Sequence, residues 1–203
     1  MEPVLSGGGK TDMKATNWDD ITITDDYIDV EDSLNRNLRV TFLKSVTSIF
    51  AKHKNLHTIF FAITKKLARF FSISGAVLAV HSKKDQRLKV IALKKPTYSR
   101  RGLALTLPEK NSLLYSIYHN GETYVEDFSD GKSGNFIERK LIFDDDTRSI
   151  AVCPTYFDKS VNGLICFSSP LPDAFSMFES GLLKGVMKKM GKVISRKLTV
   201  LNI

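Results

Sequence analysis

Apolar residues return every three or four positions in two stretches early in the chain. Leu34, Leu38, Phe42, Val46, Ile49 and Phe50 share one face of a helix predicted from the N-cap Ser33 to about Lys52. Leu56, Ile59, Phe60, Ile63, Leu67 and Phe70 do the same for a second helix restarting at Asn55. From Ile73 the period changes. Residues 75–80 (GAVLAV) form a short continuous apolar run, followed by the turn-like Lys83-Lys84-Asp85-Gln86 and by 87–93 (RLKVIAL), the two arms of a hairpin. Residues 102–107 alternate like another strand. Residues 111–119 read as a short helix stopped by Asn120-Gly121, and 123–127 as a brief strand. The stretch 128–146 is irregular, with a helical turn around 136–141. The chain then reads as a strand (147–157), a turn (158–162), a strand (163–169) and one long helix (175–201) carrying Phe178, Leu182, Val186, Met190 and Val193.

Helices clustered at both ends of a mostly antiparallel sheet make an α+β domain. In such a fold the long section between the second and third major strands supplies pocket walls, because loops carry function on a rigid sheet.

Composition divides the chain unevenly. Residues 1–32 hold nine acidic residues against Lys10 and Lys14, a net of −7, while the remainder holds 28 basic and 13 acidic residues, a net of +15. The expected organisation is an acidic, flexible tail over 1–32 and one domain over 33–203. Ser6-Gly7-Gly8-Gly9 favours disorder in residues 1–16. Over 17–32 the acids interleave with Trp18, Ile21, Ile23, Tyr27, Ile28 and Val30, a pattern that suits either an arm docking on a basic groove or a mobile tail. The asymmetry suggests a polyanion partner or a tail folding back on the body. No apolar run approaches the ~20 residues that span a bilayer, and the N-terminus lacks the pattern of a signal peptide; the expected location is the cytoplasm. Cys153 and Cys166 read as reduced core thiols.

With these elements in place, residues 34–197 resemble the GAF domain, a sensory module of signalling proteins. The second helix leading into Ser74-Gly75-Ala76-Val77-Leu78-Ala79-Val80 looks like the family's approach to its first strand. Asn120-Gly121-Glu122-Thr123-Tyr124-Val125-Glu126-Asp127 is similar to its glycine, short strand and aspartate. Ile150-Ala151-Val152-Cys153-Pro154 resembles its apolar strand ending in proline, and Asn162-Gly163-Leu164-Ile165-Cys166-Phe167-Ser168 with Ala174-Phe175 its final strand and helix start. The resemblance implies a GAF-like α+β fold: a central antiparallel sheet of about six strands, N- and C-terminal helices on one face, and short helices and loops forming a pocket on the other. Members bind cyclic nucleotides, bilins, haem or small metabolites, and many only dimerise. The chain lacks a cysteine over 111–146, where phytochrome-type members attach a bilin. It also lacks the Asn-Lys…Phe…Asp-Glu signature of cyclic-nucleotide binders, and the three cysteines typical of free methionine sulfoxide reductases.

Other motifs weigh little. Gly7-Gly8-Gly9-Lys10-Thr11 mimics the end of a P-loop, but Val4 or Leu5 stands where the first glycine belongs and no strand precedes it. His53 and His57 are four apart, yet Asn55 separates them and no third metal ligand is evident. Asp127-Phe128-Ser129-Asp130-Gly131 has Phe128 where a calcium loop needs Asp or Asn. Asp144-Asp145-Asp146 reads as a solvated loop, with a cation site as the alternative. Lys184, Lys188, Lys189, Lys192, Arg196 and Lys197 read as the solvated face of the last helix, or as a phosphate-tracking surface.

The resulting expectation is a non-enzymatic sensory or regulatory domain that binds a small molecule or a protein partner and forms a homodimer through its terminal helices. Alternatives are a ligand-free interaction scaffold and a polyanion-binding protein using the basic body. With no further domain after Ile203, the output is expected to pass to a partner chain. Nucleic acid is left open as a partner, no cofactor or metal is identifiable, and an unidentified small molecule is the expected occupant of any pocket. Its expected walls are Tyr98, Leu105, Tyr115, Phe128, Phe136, Arg139, Thr155 and Tyr156, with Arg139 suited to an anion.

Overall fold

The computed structural model describes residues 40–128, 133–142, 145–176 and 181–201. The tail over 1–32, the first turns of the first predicted helix and the side chains of Phe178 and Leu182 lie outside the described residues. Helix α1 is described over 40–52 and points Phe42 and Val46 into the core. Asn55 starts α2 (Leu56–Leu67) as its N-cap: its side-chain oxygen accepts from the backbone N–H groups of His57 (2.9 Å) and Thr58 (3.3 Å).

Three strands follow: β1 (Gly75–Ser82), β2 (Arg87–Lys94) and β3 (Ser99–Thr106). Next come α3 (Leu113–Asn120), β4 (Tyr124–Asp127), α4 (Phe136–Ile142), β5 (Ser149–Phe157), β6 (Ser160–Ser169) and α5 (Gly181–Leu201). Helix α3 begins at the N-cap Ser112 and ends at Gly121, whose φ of 70° is the left-handed cap that Asn120-Gly121 predicts. The strands form one six-stranded antiparallel sheet in the order β3-β2-β1-β6-β5-β4.

The sheet is apolar on both faces, which is why its central strand β1 reads as a continuous run and not as an alternation. Ala76, Leu78 and Val80 pack with Cys153, Ile165 and Phe167 against α1, α2 and α5. Val77 and Ala79 pack with Val152, Leu164 and Cys166 beneath α3 and the end of α4. The closing hairpin is tighter than expected. Phe157 pairs with Ser160, so the turn is only Asp158-Lys159, both at positive φ (46° and 66°), a type I′ geometry matched to strand twist. That two-residue turn, with a bulge between Thr155 and Tyr156 that shifts the register by one, pairs Cys153 with Ile165. Helix α5 begins later than the sequence pattern suggests. Phe175 lies in a turn before it, and its buried residues Leu183, Val186, Met187, Met190 and Ile194 are only partly those of the predicted stripe.

Candidate functional site

The face bearing α3 and α4 is where a pocket is expected, and the described residues there form a packed apolar cluster. Leu107, Leu114, Ile117, Ile150, Val152 and Leu164 are all buried there, and Tyr115 lies among them, its hydroxyl accepting from the Leu88 N–H at 2.9 Å. The two short helices are joined by Glu138. From α4 its carboxylate accepts from the backbone N–H groups of Leu113 (2.9 Å), Leu114 (3.0 Å) and Asn135 (3.1 Å), and from the Ser112 hydroxyl. A negative group thus sits on the N-terminal N–H groups of α3, where the helix dipole favours it. Glu138 is fully buried, and a side chain at Gly134 (φ 88°) would strike its Oε2.

Of the eight predicted wall residues, Tyr115 and half-buried Phe128 belong to this filled interior. Tyr98, Leu105, Phe136 and Arg139 are exposed; Tyr98 lies beside the Arg100 guanidinium and Phe136, 67% exposed, beside the Lys140 ammonium. Thr155 is buried and donates to Asn162 Oδ1 at 2.9 Å. Only Tyr156 among the eight lines a cavity described here, and that cavity is on the other face.

This cavity is a cleft of about 480 Å³. Its walls come from Glu122 and Thr123 ahead of β4, from β4 (Val125), from β5 (Pro154, Tyr156), from Phe175 and Ser176, and from α5 (Leu183, Lys184, Met187). It exists because α5 lies over β5 and β6 and leaves the last strand, β4, overhanging. Two contacts set the position of α5. Gly191 lets the helix approach the Tyr156 backbone so closely that a Cβ would lie 2.0 Å from the Tyr156 carbonyl oxygen. Asn162 then donates from Nδ2 to the Gly191 carbonyl at 2.8 Å while accepting from Thr155. The Tyr156 hydroxyl donates to the Gly121 carbonyl, pinning the cleft wall to the end of α3. Burial is the main cause raising the Tyr156 hydroxyl pKa, with smaller contributions from Cys153 and Glu122.

The remaining candidate groups fall elsewhere. The two cysteines point to opposite faces of the sheet, Cys153 under α5 and Cys166 under α3 and α4. Burial pushes the Cys153 thiol up to about 12 and the Cys166 thiol well above its ordinary range, so neither is a thiolate nucleophile at neutral pH. His57 Nε2 accepts from the Gly102 N–H at 3.4 Å, and burial, aided by Arg101, lowers its pKa. Asp127 accepts from the Asp173 N–H at 3.0 Å, and its hydrogen bond and charge raise the pKa of the Asp173 carboxyl. Sequence reasoning missed Glu138, Gly191, Asn162 and the cleft; the one available signal was the glycine inside an otherwise helix-favouring stretch.

No protein-family model and no curated protein sequence matches the chain. Solved structures do. The GAF domain of an Acinetobacter phosphoenolpyruvate-protein phosphotransferase aligns with a TM-score of 0.61 at 16% identity, over 82% of this chain and 98% of that one. The GAF domain of a two-component sensor histidine kinase from Bacillus halodurans aligns at 0.52 and 15%, over 68% and 92%. A free methionine-R-sulfoxide reductase from Neisseria meningitidis, in complex with its substrate, aligns at 0.56 and 16%, over 81% and 92%. This last similarity corrects the expectation of a non-enzymatic protein. Reductases share the fold at the same level of likeness as the regulatory domains, so the architecture is one that enzymes also use.

Proposed function

From the GAF fold of this chain, we propose that it is a regulatory module working as a homodimer through its helical layer. One observation carries the dimer. Helix α1 has a second, outward stripe, Val40, Leu43 and Thr47, spaced three and four residues apart, apolar at its first two positions and distinct from the Phe42–Val46 side that enters the core; Phe50, one turn on, packs partly against the core and lies under the Lys189 ammonium. Val40 and Leu43 are 44% and 40% exposed. That spacing is the seam of a two-helix contact, and a matching stripe on a second copy would cover it. Thr47 accepts from Lys189 Nζ at 2.7 Å, so a contact built on α1 also touches α5. Light scattering is expected to give about twice the 22.8 kDa chain mass, and Leu43→Glu to halve it without loss of helicity. A wild-type monomer at every accessible concentration would overturn the proposal.

A second reading applies to the α3–α4 face. Its filled interior supports a scaffold that acts there without a small molecule, its Glu138 network holding α3 and α4 as a rigid surface.

A further inference from the structure

The cleft between β4 and α5 has two kinds of wall. Its floor is apolar: Phe175, Leu183 and Met187 are nearly fully buried, and Pro154 and Val125 continue it towards β4. Its rim carries one acid and one base from different elements, Glu122 just after α3 and Lys184 in the first turn of α5. No ion pair joins these two among the described residues. Ser176 and Tyr156, whose hydroxyl donates to the Gly121 carbonyl, also line the cleft. The volume falls within the range of about 300–1,000 Å³ typical of small-molecule sites.

From these groups we infer that the cleft binds a small zwitterion with an apolar body, of the size of a free amino acid. Its ammonium group lies beside Glu122, its carboxylate beside Lys184, and its apolar part over Phe175, Leu183 and Met187. The charges select this class. A simple anion of that size meets Glu122, and a simple cation meets Lys184. A wholly apolar molecule desolvates both charges without giving either a partner. The site lies on the opposite face of the sheet from α3 and α4, and it does not depend on dimer formation. It is linked to α5 directly, because three of its wall residues belong to that helix and Tyr156 also supplies the backbone against which Gly191 packs.

The test titrates the full-length protein, by calorimetry and ligand-observed NMR, with leucine, methionine and phenylalanine. Each is paired with its decarboxylated amine and its deaminated acid. The amino acids are expected to bind, each one-charge analogue to bind about tenfold or more weakly, and hydrogen exchange over 183–191 to slow on binding. Lys184→Ala should abolish the advantage over the amine, Glu122→Gln the advantage over the acid, and Val125→Trp, at an exposed wall position, should block all binding. The absence of amino-acid binding at millimolar concentration overturns the inference. So does equal binding of the one-charge analogues, or binding unaffected by all three variants. Repeating the titration on Leu43→Glu separates the two proposals: a monomeric protein that still binds supports the cleft whatever becomes of the dimer.

Discussion

A Cβ at position 191 would lie 2.0 Å from the Tyr156 carbonyl oxygen and 2.4 Å from its carbon, both backbone atoms that cannot rotate away. Gly191→Ala must therefore lift α5 off β5 and lengthen the Asn162–Gly191 hydrogen bond. The expected loss is about 3 kcal/mol, the upper part of the usual overpacking range; an unchanged urea midpoint would show that the helix slides freely. Glu138 is held by bonding, not by close contact. Glu138→Ala leaves the buried N–H of Leu114, the half-buried N–H of Leu113 and the Ser112 hydroxyl without their acceptor, at a cost of about 3 kcal/mol. Glu138→Gln keeps one acceptor oxygen and should lose less in the same denaturation experiment. Equal losses for the two variants would assign the effect to packing alone.

The closing hairpin shows how one element serves both sides of the sheet. Its strands alternate side chains between the faces, so Cys153 and Cys166, though near each other in the ladder, are separated by the sheet itself. Their burial has a measurable consequence at alkaline pH. An unfolded Cys153 thiol loses its proton near its ordinary 9.0, whereas the folded one holds it to about 12. Between those values the unfolded state binds fewer protons than the folded state, so stability is full below 9 and falls as pH rises through the window. Cys153→Ala is expected to flatten the decline of melting temperature with pH in that range. A parallel decline in both proteins would contradict the buried, protonated thiol. A thiol reagent at neutral pH should label both cysteines only after denaturation.

At the scale of the whole molecule, the proposed dimer contact and the cleft both involve α5, the first beside Lys189 and the second at Lys184 and Met187. If the native protein is a dimer, its melting temperature should rise with protein concentration, and that dependence should vanish in Leu43→Glu; a concentration-independent melt of the wild type would argue for an isolated fold. No helix among the described residues is long and apolar enough to cross a membrane. The sequence alone determined the number, order and kind of elements. Periods of 3.6 and 2, the restart at Asn55 and the Asn120-Gly121 stop are local physics, written within a few residues of where they act. It did not determine that a cleft opens beside α5. The aromatic and basic residues of β3, α3 and α4 suggested walls, but whether a side chain lines a cavity or fills it depends on partners far away in the chain. Leu164 and Ile150 fill one face, while the overhang of β4 beyond α5 opens a cleft on the other. Likewise Glu138 has no local signature, and the glycine at 191 marks an interruption without its reason, because a buried carboxylate is explained only by the helix end it meets, and a missing Cβ only by the strand it lets approach. Those pairings were decided by the tertiary structure.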